Sequence, residues 1–156
     1  FTGDPVKYKS DGTVEVATAS DAFCGVFMGC FYTDPTTSKP TFRNYFPASL
    51  SPGDAIAFVA DDPDQMFVAQ QDSVGSNLVA ADLNLNANLV FGAGSTTTGN
   101  SGVEIDSSTG ATTATHQVRL IAFYDTPSND ATANNSNLVV KINNHQLGSH
   151  TGTAGV

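Results

Sequence analysis

Two cysteines stand closest to chemistry in this chain. They sit in F-C-G-V-F-M-G-C-F, at Cys24 and Cys30. A thiolate next to a histidine makes a nucleophile, and two thiolates make metal ligands. Both residues, however, lie inside an apolar run of strand length. Their separation is even, so on a regular strand they share a face with Val26 and Met28. At about 3.3 Å per residue they would stand roughly 20 Å apart. A disulfide needs Cα atoms within about 7 Å, so a straight strand excludes a bond between them. Two buried free thiols are expected, which suits a reducing cytoplasm.

The remaining candidates are equally sparse. The histidines are His116, His145 and His150, and their spacing matches no metal-ligand pattern. Asp61, Asp62 and Asp64 surround Pro63. A calcium loop wants oxygens at alternate positions and a later bidentate Glu, and that pattern is incomplete here. A plain turn held by Asp side chains is the expectation. Glu104 and Asp106 fall on one face of a short strand, as solvated acids. The nucleophile elbow, the zincin helix motif, the phosphate-binding loop and the C-x-x-C pair are all absent from the sequence. No catalytic, metal or cofactor residue is assigned.

The elements that would position any site are short strands. P-V-K-Y-K, S-D-G and T-V-E-V read as a hairpin, because Asp-Gly accepts the backbone of a tight turn. Cys24–Tyr32 is a strand, Thr41–Phe46 a short one. D-A-I-A-F-V-A at 54–60 is apolar on both faces and predicts a central strand. D-D-P-D turns the chain and Met66–Gln70 returns it. In 82–89 leucines or alanine alternate with asparagines, which predicts a half-buried strand. A short helix is compatible with 76–81. Residues 102–106, 116–124 and 137–146 complete the set, between long loops rich in Gly and Thr. Eight to ten such strands predict an all-β fold, a compact antiparallel barrel or sandwich with extended termini. Residues 1–147 form one β domain, and 148–156 an extended C-terminal tail.

Composition narrows the function classes. Of 156 residues only 13% are charged, about half the usual share of roughly 25%. Fifteen acids against six bases give a net charge of −9. The bases are scattered, so a nucleic-acid backbone is excluded as partner. No apolar run approaches 18 residues, so no membrane helix is expected. Chemistry gives way to docking as the expected mode of action. Asn143, Asn144, His145 and Gln146 offer amide and imidazole groups at a strand end. Beyond them Gly148, Ser149, His150 and Thr151 begin an uncharged tail. Such a tail orders cheaply along a neighbouring subunit, where main-chain bonds replace side-chain contacts. Folding back on its own domain is the alternative.

Three stretches carry a resemblance. G-D-P-V-K-Y, D-G-T-V-E-V-A-T-A and G-V-F-M-G-C-F open the chain, and A-F-V-A-D-D-P-D-Q-M-F-V-A-Q follows at 57–70. V-K-I-N-N-H-Q-L-G stands at 140–148. Together they resemble the small β-rich capsid decoration, or cement, proteins of tailed bacteriophages, with an ending similar to structural proteins of marine and cyanobacterial phages. The resemblance covers about a third of the chain. It implies a virion protein on the outer surface of the head, assembled in the host cytoplasm. It implies a homotrimer that bridges major capsid protein subunits and has no active site or cofactor. A tail, fibre or adhesin module that binds a surface glycan is the alternative. It would stack sugars on Tyr32, Tyr45 or Tyr124. An enzyme or free carbohydrate-binding domain is the third reading.

Overall fold

The computed structural model describes residues 1–19, 21–148 and 152–156. It is nearly all β and antiparallel, sandwich-like in its compactness, and does not close into a barrel. The described residues form eleven strands. They are β1 (Pro5–Tyr8), β2 (Val14–Val16), β3 (Gly25–Thr33), β4 (Pro40–Arg43), β5 (Ala55–Ala60), β6 (Met66–Gln70), β7 (Asn86–Ala87), β8 (Leu89–Gly92), β9 (Gly102–Ile105), β10 (Val118–Phe123) and β11 (Asn137–Ile142).

The predicted Asp-Gly hairpin is β1–β2, with Val6 opposite Val16 and Tyr8 opposite Val14. Gly12 takes the left-handed φ of +81° that the turn requires, and the Asp11 carboxylate accepts from the Thr13 N–H at 3.0 Å. The hairpin joins a five-stranded sheet centred on β3. β1 pairs with the start of β3, β4 with its end, and β5 with nearly its whole length. A strand has two edges, so β1 and β4 share one edge of β3 and β5 occupies the other. β5 is therefore an edge strand, not the central strand its composition predicts.

The second sheet has the order β6-β11-β10-β7. Here the period of two holds. Leu138, Val140 and Ile142 point inward on β11, as do Val118 and Leu120 on β10. They pack with Phe23, Leu78, Leu89 and Ile105 into the larger core. D-D-P-D does turn the chain, but β6 returns to pair with β11 in this sheet, not with β5. β8 and β9 form a separate two-stranded ribbon. The two large sheets are tied where Phe23 donates its N–H to the Asn144 carbonyl at 3.0 Å.

Residues 82–89 do not form the predicted half-buried strand. A 3-10 turn at Ala80–Asp82 leads into Asn84, whose φ is +72°, and only Asn86–Ala87 is strand before β8 starts. Asn86, expected on the solvent side, is fully buried. Its amide finds enough internal partners to offset its desolvation.

Candidate functional site

The thiols come first. Cys24 and Cys30 are free and buried in the smaller core with Val6, Phe27 and Tyr32. They do not share a face with Met28, which is 49% exposed. A register shift between Phe27 and Gly29 in the β3–β5 ladder turns Met28 outward while Phe27 and Cys30 both face the core. Burial pushes the Cys24 thiol up to about 11 and raises Cys30 as well. Both are neutral thiols at pH 7, poor nucleophiles and poor metal ligands.

The acids disperse. The Asp62 carboxylate accepts from the Asp64 N–H at 2.8 Å, which is the expected turn. Asp64 pairs with Lys141, and Asp61 accepts from the Tyr8 hydroxyl at 3.2 Å. Asp106 lies beyond β9 and accepts from the Ser108 N–H, so it does not pair with Glu104 on a strand face. His116 Nδ1 sits 3.3 Å from the Asn86 carbonyl, and His145 is buried. Among the described residues no three His, Cys, Asp or Glu side chains converge on a metal position. Of the tyrosines proposed as stacking platforms, Tyr32 is buried and accepts from Arg43 Nε at 2.7 Å. Tyr45 stacks on Phe1 with Arg43 over its ring, and Tyr124 alone of the three is openly exposed.

The expected partner-facing residues are largely turned inward. Asn143 is buried, and its Nδ2 donates to the carbonyls of Ala114 and His116 at 2.8 and 3.0 Å. Its Oδ1 accepts from the Thr153 N–H at 3.0 Å. Gln146 Oε1 accepts from the Tyr8 N–H at 2.7 Å, tying β11's end to the first hairpin. Asn144 Oδ1 is buried with no hydrogen-bond partner among the described residues. Gly148 is exposed and lies against Pro63. Ser149, His150 and Thr151 lie outside the described residues.

The far end of the tail is held by the chain itself. The Thr153 carbonyl accepts from Asn86 Nδ2 at 2.7 Å and from Arg119 at 2.8 Å. Arg119 also bonds the Ala154 carbonyl. Gly155 donates to Thr112 and Val156 to Asn84, at 3.1 and 3.2 Å. A side chain at Gly155 would meet the Asn84 carbonyl at 2.9 Å. Thr153 to Val156 thus bond back onto their own domain, the alternative that the sequence left open.

What sequence reasoning missed is an exposed apolar face. On the outer side of the first sheet Phe31 stands opposite both Phe42 of β4 and Ile56 of β5. Phe42 lies across Gly29, where any Cβ would approach its ring to 2.4 Å, and reaches Phe58 at 5.9 Å between ring centroids. Phe42, Ile56 and Phe58 are 53%, 66% and 49% exposed. One signal for this was present. G-V-F-M-G-C-F and A-I-A-F-V-A are apolar at successive positions, which means a second apolar face whether or not anything covers it. Compared with protein-family models, curated proteins and solved structures, the chain matches none.

Proposed function

We propose that this is a structural, non-enzymatic virion protein: a decoration protein on the outer surface of a phage head, binding the major capsid protein as a homotrimer and bridging its subunits. The observation that carries this reading is the apolar outer face of the first sheet, built by Met28, Phe31, Phe42, Ile56 and Phe58. Monomeric proteins rarely leave such a continuous apolar surface to water, and where they do it marks a docking site. The resemblance of the opening strands to decoration proteins names the kind of partner. A net charge of −9 favours the outside of a DNA-filled shell over the inside.

Apolar docking makes a specific prediction about salt. Ion pairs are screened within about 8–10 Å at moderate ionic strength, whereas excluded salts strengthen apolar burial. Wild-type protein therefore co-sediments with expanded heads equally in low and high salt. The double variant Ile56→Glu, Phe58→Glu places two charges on the face and abolishes co-sedimentation while circular dichroism stays unchanged. Release of the wild type by salt, or normal binding of the double variant, overturns the proposal.

A further inference from the structure

The first sheet also has an inner face, and it is left open. The path β2-β1-β3-β5 curls until its two end strands, β2 and β5, border the same groove. Gly25, at the start of β3, and Gly29 within it permit that curl, with φ of +155° and +132°. The groove holds about 660 Å³, and Val6, Val14, Phe27, Ala57 and Val59 line it.

Its two walls are strand edges. β2 pairs only with β1, and β5 only with β3, among the described residues. The Lys9 N–H donates to Thr13 and the Ala17 N–H to Pro5, which puts the N–H and C=O of Val14 and Val16 on the outward side of β2. A bare edge is a template for another strand. A strand takes about 4.8 Å between neighbours, roughly 10 Å across its faces and about 3.3 Å per residue, so four residues fill roughly 630 Å³. That matches the groove. Asp4, Glu15 and Asp61 line it, and the Phe1 ammonium beside them pairs with Asp4 at 2.6 Å. Glu15 is matched by Lys7 at 3.4 Å and Lys9 at 4.0 Å, which leaves Asp61, bonded by the Tyr8 hydroxyl, as the carboxylate of the groove with no ion pair among the described residues.

We infer that the groove between β2 and β5 binds an extended segment of a partner protein, with apolar side chains at alternate positions and a Lys or Arg at its end. The inserted strand pairs with both edges and lays its apolar side chains on the floor. Its basic end meets Asp61. A second copy of this chain is disfavoured as occupant, because it brings another net −9 to an acidic rim. The inference is independent of the virion role: a peptide titration tests the groove, and head co-sedimentation tests the role.

The probe is a seven-residue peptide with Val at alternate positions, Thr between them and Lys at both ends, followed by fluorescence anisotropy. Saturable binding is expected, weakened about tenfold or more when the peptide backbone is N-methylated at alternate residues or its Lys become Glu. Ala57→Phe fills the groove and abolishes binding. Val14→Pro removes an outward N–H at a position an edge strand tolerates and weakens binding. No saturable binding, or equal binding of the N-methylated peptide, overturns the inference. So does an apolar dye that fills the groove while the peptide fails to compete. Self-association abolished by Ala57→Phe would assign the groove to a second copy and overturn it too.

Discussion

Asn86 is the residue on which the tail's order rests, and its removal can be worked through. The side chain is fully buried. Its Nδ2 donates to the carbonyls of Thr113 and Thr153 at 3.0 and 2.7 Å, and its Oδ1 accepts from Arg119 Nε at 3.1 Å. Asn86→Ala deletes all three bonds. At a net 0.5–1.5 kcal/mol each, with the charged donor toward the upper end, the loss is about 2–4 kcal/mol. In a domain of this size that is a fall in Tm of roughly 5–15 °C. Two assays separate the contributions. Denaturant unfolding gives the total. Hydrogen exchange at Thr153, Gly155 and Val156 reports the tail, since these amides bond Asn143, Thr112 and Asn84. In a chain shortened by residues 152–156 the bond to Thr153 no longer exists. Asn86→Ala then loses about 1 kcal/mol less than in the full chain. A loss under about 0.5 kcal/mol, or the same loss in both backgrounds, would refute the clamp.

Four further outcomes follow from the same geometry. Cys24 and Cys30 resist alkylation in the native protein and react fully once it is unfolded, as followed by mass spectrometry; because the Cys24 thiol is held up to about 11 by burial, the stability it supports is complete below pH 9 and is lost as pH rises toward 11. Asp11, held down to about 2 chiefly by the Thr13 hydroxyl, supports stability above pH 4 that is lost as pH falls toward 2, and Asp34 and Asp130 act in the same direction through the N–H groups of Thr37 and Thr132; an acid titration of Tm reads the decline, which Asp11→Asn reduces. Gly25→Ala prevents the β3–β5 pairing, since its Cβ would stand 2.2 Å from the Ala60 carbonyl at a φ of +155°; folding yield and circular dichroism check it. Arg119→Lys keeps the charge but loses the fork that serves Thr153, Ala154 and Asn86 together, so tail exchange accelerates while the core stays protected.

How much of this was legible in the sequence depends on what decides each position. The β1–β2 hairpin was legible because Asp11-Gly12 satisfies its own turn locally. β11 was legible because Leu138, Val140 and Ile142 alternate against a single buried face. The 82–89 segment shows the same alternation and misleads. There the deciding groups are distant: Asn86 is buried because Arg119, Thr113 and Thr153 happen to reach it. A two-residue period cannot register bonds that span 27 to 67 positions. The two cysteines do share one core, but Met28 does not join them, since the bulge there lets Phe27 and Cys30 both face inward. Asn143 looked like a displayed amide and is an internal staple, because the tail that it holds lies ten residues further on.

The misreading of β5 is the most informative of these. A strand apolar on both faces is ordinarily central, because water makes the second face unfavourable. β5 keeps that composition at an edge, with Ile56 and Phe58 in water and its outer main chain unpaired among the described residues. In the larger core Leu120, Leu138 and Ile105 are sealed, while Met66 and Val68 on edge strand β6 stand half exposed. In the half of the molecule built on the first sheet, both an apolar outer face and an inner groove are open. A partner that covers the outer face and a strand that enters the groove would each stabilise this half and leave the other unchanged. Native-state hydrogen exchange distinguishes the halves directly. Amides of β3 and β5 exchange faster than those of β10 and β11 in the free protein, and binding at either surface protects the first group alone.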